Sequence, residues 1–355
     1  MRFDYVIGNP PYQVETIQNE VSKKNGQTPK KNIFHYFQME ADKIASESTV
    51  MIYPAGRWIQ RSGKGLADFG LSQINDEKLQ DILFYPNAKE VFPSAAIADG
   101  VSVVVKRMNK KHGGFNYYYC EDKNERKIHM ENPGENILPL NPNDVAIIGK
   151  IEDFVNRYNL NFLHDRILPR TLFGIESDFV SENPHLVREY QDDALVDFSR
   201  EVKLFTNDKA GKSGRAKWFV TQRSVIKNNM NLISKWKVVV SSANAGGQKR
   251  DNQLEIMDNH SAFGRARVAL AVFDTRNEAE NFYSYVRSYV ARYAFLMTDE
   301  ALTTLGFKVP DFRDYSNSNA LLDFSTNLDE QLYRMIGFTT DEVRYLETTV
   351  DNVRG

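Results

Sequence analysis

Asp4-Tyr5-Val6-Ile7-Gly8-Asn9-Pro10-Pro11-Tyr12 runs from an apolar stretch through a glycine into a turn held by two prolines. A short apolar run that stops at a turn is the pattern of a buried parallel strand, which places Asn9 to Tyr12 at a strand's carboxyl end. The side-chain oxygen of Asn9 and the backbone carbonyl of Pro10 are hydrogen-bond acceptors. Pro10 and Pro11, with fixed φ and no donors of their own, hold those acceptors outward at little entropic cost. An aromatic amine is a poor nucleophile because its lone pair is delocalised into the ring. Acceptors placed on such an amine draw that density back onto nitrogen. Tyr12 adds a flat face on which a planar ring can stack.

Downstream, Ile33, Phe34, Phe37, Ala41 and Ile44 recur at helical spacing, and a second helix opens at Gly63-Lys64-Gly65 and carries Leu66, Phe69, Leu71 and Ile74. Strand runs stand at Thr49 to Tyr53, Leu79 to Tyr85 and Gly100 to Arg107. Their alternation with helices predicts an α/β fold with a parallel, doubly wound sheet. Lys110-Lys111-His112-Gly113-Gly114 and the polar stretch after it place a boundary near residue 112. Residues 113–160 then read as a connector ending in a helix from Val145 to Leu160. Residues 161–355 read as a mixed α+β domain. Its strands are expected at Val202 to Thr206, Trp218 to Thr221, Trp236 to Ser242 and Arg267 to Phe273, followed by one long helix, Glu278 to Phe295. Two tail helices close the chain, the last opened by a capping box of Thr339 and Glu342.

With 355 residues, 41% of them hydrophobic, the chain is long enough for two domains. Its longest apolar runs fall far short of the roughly 20 residues that cross a bilayer, so no membrane partner is expected. A single cysteine, Cys120, and a start without the features of a secretory signal predict a cytoplasmic protein. The histidines, His35, His112, His129, His164, His185 and His260, lack metal-ligand spacing, and no metal site is predicted. Gly211-Lys212-Ser213 is not a phosphate loop, because Thr206 stands where the motif needs a glycine. Glu201-Val202-Lys203 reads as a solvated run rather than a nuclease core. The net charge is only −2, but acids are nearly absent between Lys209 and Arg250. Lys209, Lys212, Arg215, Lys217, Arg223, Lys249 and Arg250 are the candidates for phosphate contacts with DNA; a solvated face of mixed loops is the equal alternative.

Asn-Pro-Pro-Tyr at a strand end resembles the catalytic motif of the amino-methyltransferases, which move a methyl group from S-adenosylmethionine to adenine N6, cytosine N4 or a protein glutamine amide. Tyr53-Pro54 with Arg57-Trp58, Gly63-Lys64-Gly65-Leu66, Glu90-Val91-Phe92-Pro93 leading to Gly100, Leu172-Phe173-Gly174 and the stretch from Phe273 to Pro310 extend the likeness. Together they look like the restriction-modification methylases of the fused, single-chain kind. The resemblance implies a partial Rossmann-like methyltransferase sheet over 1–112 followed by a target-recognition domain. It also implies N6-adenine methylation of double-stranded DNA, with Asn9, Pro10, Pro11 and Tyr12 as the catalytic turn and the flipped adenine stacked on Tyr12 and bordered by Phe173, on the opposite side or edge-on. Phe92 and Pro93 are expected in the pocket wall.

In that family the donor-binding half, with a Phe-x-Gly-x-Gly loop, precedes the catalytic motif. Only three residues precede Asp4 here, and no such loop follows. The S-adenosylmethionine site is therefore expected to be incomplete, with Asn9 its one contact, and a methyltransferase half supplied in cis or in trans is the expected partner beside duplex DNA. The alternative is a DNA-binding or specificity component without catalysis of its own. A protein-glutamine methyltransferase fits poorly, because it has little chain after its catalytic domain.

Overall fold

The computed structural model describes residues 2–15, 30–59, 65–95, 97, 99–121, 123–134, 138, 140–191, 195–248, 250–298 and 302–354. Gly63, Lys64 and Lys249, singled out in the sequence, lie outside these. The chain divides into two compact units, Met1–Ala146 and Ile147–Gly355.

The first unit holds β1 (Phe3–Gly8), a ribbon of β2 (Gln13–Glu15) and β3 (Lys30–Asn32), α1 (Phe34–Ile44), β4 (Ala45–Pro54), the short α2 (Gly56–Ile59), α3 (Ala67–Ile74), β5 (Leu79–Tyr85), β6 (Val101–Arg107), β7 (Phe115–Glu121) and β8 (Asn124–Met130). Its main sheet has the order β1-β4-β6-β5-β7-β8. The predicted strands form, but the sheet is mixed rather than parallel throughout. β1 with β4 and β5 with β7 run parallel, whereas β6 is antiparallel to both β4 and β5. The turn into β6 fixes that reversal. Gly100 has φ +66°, and a Cβ there would lie 2.6 Å from the Tyr85 carbonyl, so only glycine brings the chain back along β5.

The expected boundary near residue 112 falls inside this sheet. Residues 113–130, taken as connector, are β7 and β8, which pair with each other over their whole length. In Phe115-Asn116-Tyr117-Tyr118-Tyr119-Cys120, Phe115 and Tyr117 are buried on one face and Cys120 on the other; aromatic residues suit such a partly buried strand. The following helix, α4 (Pro142–Arg157), spans the division between the units.

α1 departs from its apolar reading as well. It buries Phe34, Gln38 and Ala41, and leaves Phe37 and Ile44 exposed. Gln38 is inside because it is fully bonded. It accepts from the Tyr53 hydroxyl at 3.1 Å and donates to Asp42 at 2.7 Å, while Gln73 donates to Tyr53 at 3.0 Å. Lys106, 2% exposed, joins this layer by donating to both Asp42 and Asp76 at 2.7 Å. A buried charge in such a place is tolerable only when it is paired in this way.

The second unit contains β9 (Asn161–Phe162), α5 (Phe179–Glu182), β10 (Val187–Glu189), β11 (Glu201–Asn207), β12 (Ala216–Gln222), β13 (Trp236–Ser241), β14 (Glu255–Met257), β15 (Ser261–Phe263), β16 (Arg267–Phe273), α6 (Arg276–Val286), α7 (Tyr289–Leu296), β17 (Pro310–Asp311), α8 (Leu328–Ile336) and α9 (Thr340–Arg354). A four-stranded sheet, β10-β12-β11-β15, and a three-stranded sheet, β14-β13-β16, make the mixed α+β architecture that the strand pattern predicts. Where one long helix is expected, α6 and α7 are separate. Ser288 between them turns to an extended-type backbone, and its hydroxyl accepts from the Ala291 amide, so it caps a new helix. Both capping boxes, Thr275 with Glu278 and Thr339 with Glu342, are formed. Among the described residues no helix is long and apolar enough to cross a membrane.

Candidate functional site

β1 ends where it closes on β4: a Cβ on Gly8 would come within 3.0 Å of the Met51 sulfur. The chain then turns outward. Asn9 is exposed, Pro10 is buried, Pro11 is exposed and Tyr12 is half-buried. No side-chain hydrogen bond holds the Asn9 amide among the described residues, so its acceptor is free. Tyr12 is fixed from the other side, because its carbonyl accepts from the Ile33 amide at 3.1 Å and the β2–β3 ribbon pairs Gln13 with Asn32 directly beyond it. Burial raises the Tyr12 phenol above its ordinary pKa, so the ring stays neutral.

Facing this turn is the segment after β5. The Asn87 side chain caps a short turn at Ala88–Glu90, and the Phe92 amide donates to the Ala88 carbonyl at 2.8 Å. That turn delivers Phe92 to a cavity of about 370 Å³, whose lining is Asn9, Pro10, Pro11, Tyr12, Phe92, Ser94, Ala95 and Ile97. The cavity therefore has an aromatic ring from each of two strand ends, a free amide and, among the described residues, no charged side chain. Such a lining suits a neutral planar guest. The sequence reading placed Phe92 and Pro93 in the wall; Phe92 lines the cavity, Pro93 does not, and Ser94, Ala95 and Ile97 were missed. Nothing in the run from Val91 to Ile97, apolar except for Ser94, signals which of its side chains turn inward.

Phe173, expected beside the base, is 1% exposed and packs edge-on against Phe263 with ring centres 5.2 Å apart. It belongs to a core cluster with Leu204, Ile226 and Val239, and so placed it has no face free for stacking.

The basic candidates separate into groups. Lys209, Lys212 and Arg215 sit exposed on the loop joining β11 to β12, and Lys217 follows on β12. Arg215 donates to the Lys212 and Gly214 carbonyls, which folds the loop tip on itself. Lys217 pairs with Glu189 at 3.4 Å. Arg223 lies at the other end of β12, part-buried, donating to the Phe198 carbonyl. Arg250 is exposed on the loop after β13. Of the other cations nearby, Lys203 pairs with Asp258, Lys235 pairs with Asp274, and Lys237 is buried. The described residues contain no group of three or more His, Cys, Asp or Glu side chains placed to hold a metal ion.

Residues 1–92 match the family model described as Eco57I restriction-modification methylase. Among solved structures, the chain is similar to the type IIG restriction endonuclease BpuSI, at 10% identity and a TM-score of 0.37, over 99% of this chain and 54% of that one. It is also similar to the type IIL restriction-modification enzyme MmeI, solved in complex with DNA, at 8% identity and a TM-score of 0.34, over 99% of this chain and 55% of that one. The chain thus spans about half the length of these two solved chains. No curated protein matches it.

Proposed function

We propose, from the methylase match of residues 1–92 and the cavity that Asn9 to Tyr12 border, that the chain is the catalytic and target-recognition part of a site-specific DNA methyltransferase of a restriction-modification system. The acceptor in this reading is the N6 amine of an adenine turned out of its duplex, and the methyl donor is S-adenosylmethionine. The observation that carries it is a cavity whose described lining is uncharged and includes the free Asn9 amide and the rings of Tyr12 and Phe92. An extruded base loses its stacking, and these rings restore part of it. The Asn9 side-chain oxygen and the Pro10 carbonyl accept from the amino group, which localises the lone pair on nitrogen. S-adenosylmethionine, when bound, supplies an electrophilic methyl group to that nitrogen.

The described residues around the cavity fit the neutral acceptor, and none of them carries a charge for the amino-acid end of the donor. The donor's remaining contacts are assigned to polypeptide laid along the free edge of β1. That strand has one neighbour, β4, among the described residues, and it exposes Phe3, Tyr5 and Ile7 on one face at 46%, 64% and 77%. An unpaired apolar edge of this kind calls for a cover. Duplex DNA is assigned to the second unit, with the loop between β11 and β12 as its electrostatic contact.

The test is Asn9→Ala in the complete enzyme. Turnover should fall by about 10²- to 10³-fold, the usual loss on removing one transition-state hydrogen-bonding group, while duplex affinity stays nearly constant. Equal losses of turnover and binding would sink the assignment. The second reading, a DNA-binding component without catalysis, is favoured by the lack of a charged group for the donor among the described residues of the cavity. Calorimetry with S-adenosylmethionine separates the two: no binding and no methylation even after the donor-binding polypeptide is supplied would establish the second.

A further inference from the structure

Arg250, Arg287 and Arg292 reach one cavity of about 490 Å³ in the second unit from three places: the loop after β13, the end of α6, and α7. The arginine ion pairs of the described residues are made by other arginines, and these three guanidiniums have no carboxylate partner there. The lining also holds Asp251, which accepts from the Gln253 amide at 2.6 Å. Three guanidiniums against one carboxylate leave the described lining with an excess of positive charge, and an anion in their midst offsets it.

The loop that carries Arg250 is built rather than slack. Its glycine Gly247, at φ +77°, lines the cavity, and the Ser241 amide donates to the Asn252 carbonyl at 2.7 Å. The Asn244 side chain donates to the Arg250 carbonyl, and Gln248 ties the loop to the Phe295 carbonyl at 3.3 Å. Arg287 lies over the Tyr283 ring at 5.3 Å, which holds its planar fork in one orientation. A guanidinium fork matches two phosphate oxygens at once. The volume exceeds what a phosphate ion fills and falls in the range of small-molecule sites, and Tyr283, Val286 and Phe295 give the lining an apolar part.

We propose that this cavity is a phosphate-ester site that takes one nucleotide unit, free or within a DNA strand, with the guanidiniums on the phosphate and the apolar lining against the nucleoside. The assignment does not rest on the reading of Asn9 to Tyr12, and it is measured without methyl transfer.

The experiment is calorimetry on the full chain with adenosine, adenosine 5′-monophosphate, inorganic phosphate and a short DNA duplex, repeated with Arg292→Gln and with Arg250→Gln. Adenosine monophosphate should bind, adenosine should not, and each variant should lose about 10-fold in affinity for the monophosphate, as expected for one charge-assisted fork. Arg250 is exposed, so its variant keeps the test sound if Arg292→Gln unfolds. Binding of the monophosphate in competition with the duplex identifies a strand phosphate as the natural occupant; binding without competition identifies a free nucleotide. Equal affinity for adenosine and its monophosphate, no binding of any phosphate ester, or unchanged affinity in Arg250→Gln together with a folded Arg292→Gln would overturn the proposal.

Discussion

Tyr12, on the turn after β1, and Phe92, on the turn after β5, border the same cavity although β4 and β6 lie between their strands in the sheet. If both rings hold an extruded base, Tyr12→Ala and Phe92→Ala should each weaken its capture by about 10-fold or more, in line with alanine losses at stacking residues. Tyr12→Phe should be mild, because stacking needs the ring and not the hydroxyl. A fluorescent adenine analogue in the duplex reports capture directly. Phe173→Ala should act differently, through loss of core packing, and lower stability by roughly 3 to 5 kcal/mol. Damage from Tyr12→Phe equal to that from Tyr12→Ala would exclude stacking.

The loop between β11 and β12 carries Lys209, Lys212 and Arg215, with Lys217 just beyond. Replacing Lys212, Arg215 and Lys217 together with alanine should lower the slope of log affinity against log salt by roughly 2 to 3, since each phosphate contact contributes about 0.9. The smaller value is expected, because Glu189 already shares Lys217. A slope that does not move would place the DNA on another surface.

Lys106 holds Asp42 and Asp76 together at the inner face of the sheet. Burial works against charge on Asp76, but the Lys106 ammonium outweighs it and keeps the carboxyl below its ordinary pKa. A carboxyl lowered on folding adds stability that is present above its unfolded pKa, near 3.9, and is lost as pH falls through its native value. Lys106→Ala should destabilise the first unit by about 3 to 5 kcal/mol by leaving two carboxylates unpaired. Urea unfolding across acidic pH should also show that the variant has lost much of the wild-type acid sensitivity. Wild-type stability in the variant would mean that the pair is replaceable by water.

Lys237 on β13 is fully buried, its ammonium aimed at the carbonyls of Leu232, Ile233 and Lys235 at 3.1, 3.1 and 2.6 Å. Burial pushes its pKa down to about 7. In the unfolded chain the same group keeps its proton to about pH 10.4. Between those values the unfolded state binds more protons, so stability should rise with pH, and below about 7 this contribution should flatten. Lys237→Met should remove that rise. Denaturant titrations from about pH 6 to about pH 10 check it; the same slope in variant and wild type would refute it.

Elements in this chain are local events, and most were legible. An apolar run stopped by Gly8 and two prolines needs no partner to be recognised as a strand entering a stiff turn, and Thr339 with Glu342 announces a helix start within four residues. The hydrogen-bonding and stacking capacity of Asn9 to Tyr12 is likewise a property of residue types, and their place in the lining of one cavity came from the fold. Pairing is not local. The run Val101–Arg107 is apolar in either direction, and its antiparallel seat between β4 and β5 follows from Gly100 and from neighbours distant in the chain. Nor does a phenylalanine carry its address: Phe92 reaches the cavity because the Asn87 turn aims it there, while Phe173 is buried by Phe263. The same holds for charge. In the sequence, Lys237 and Lys212 belong to one basic stretch; in the fold, one is sealed behind a sheet and the other stands in water, because strand alternation and the three carbonyls around Lys237 decide burial, and the order of residues alone does not.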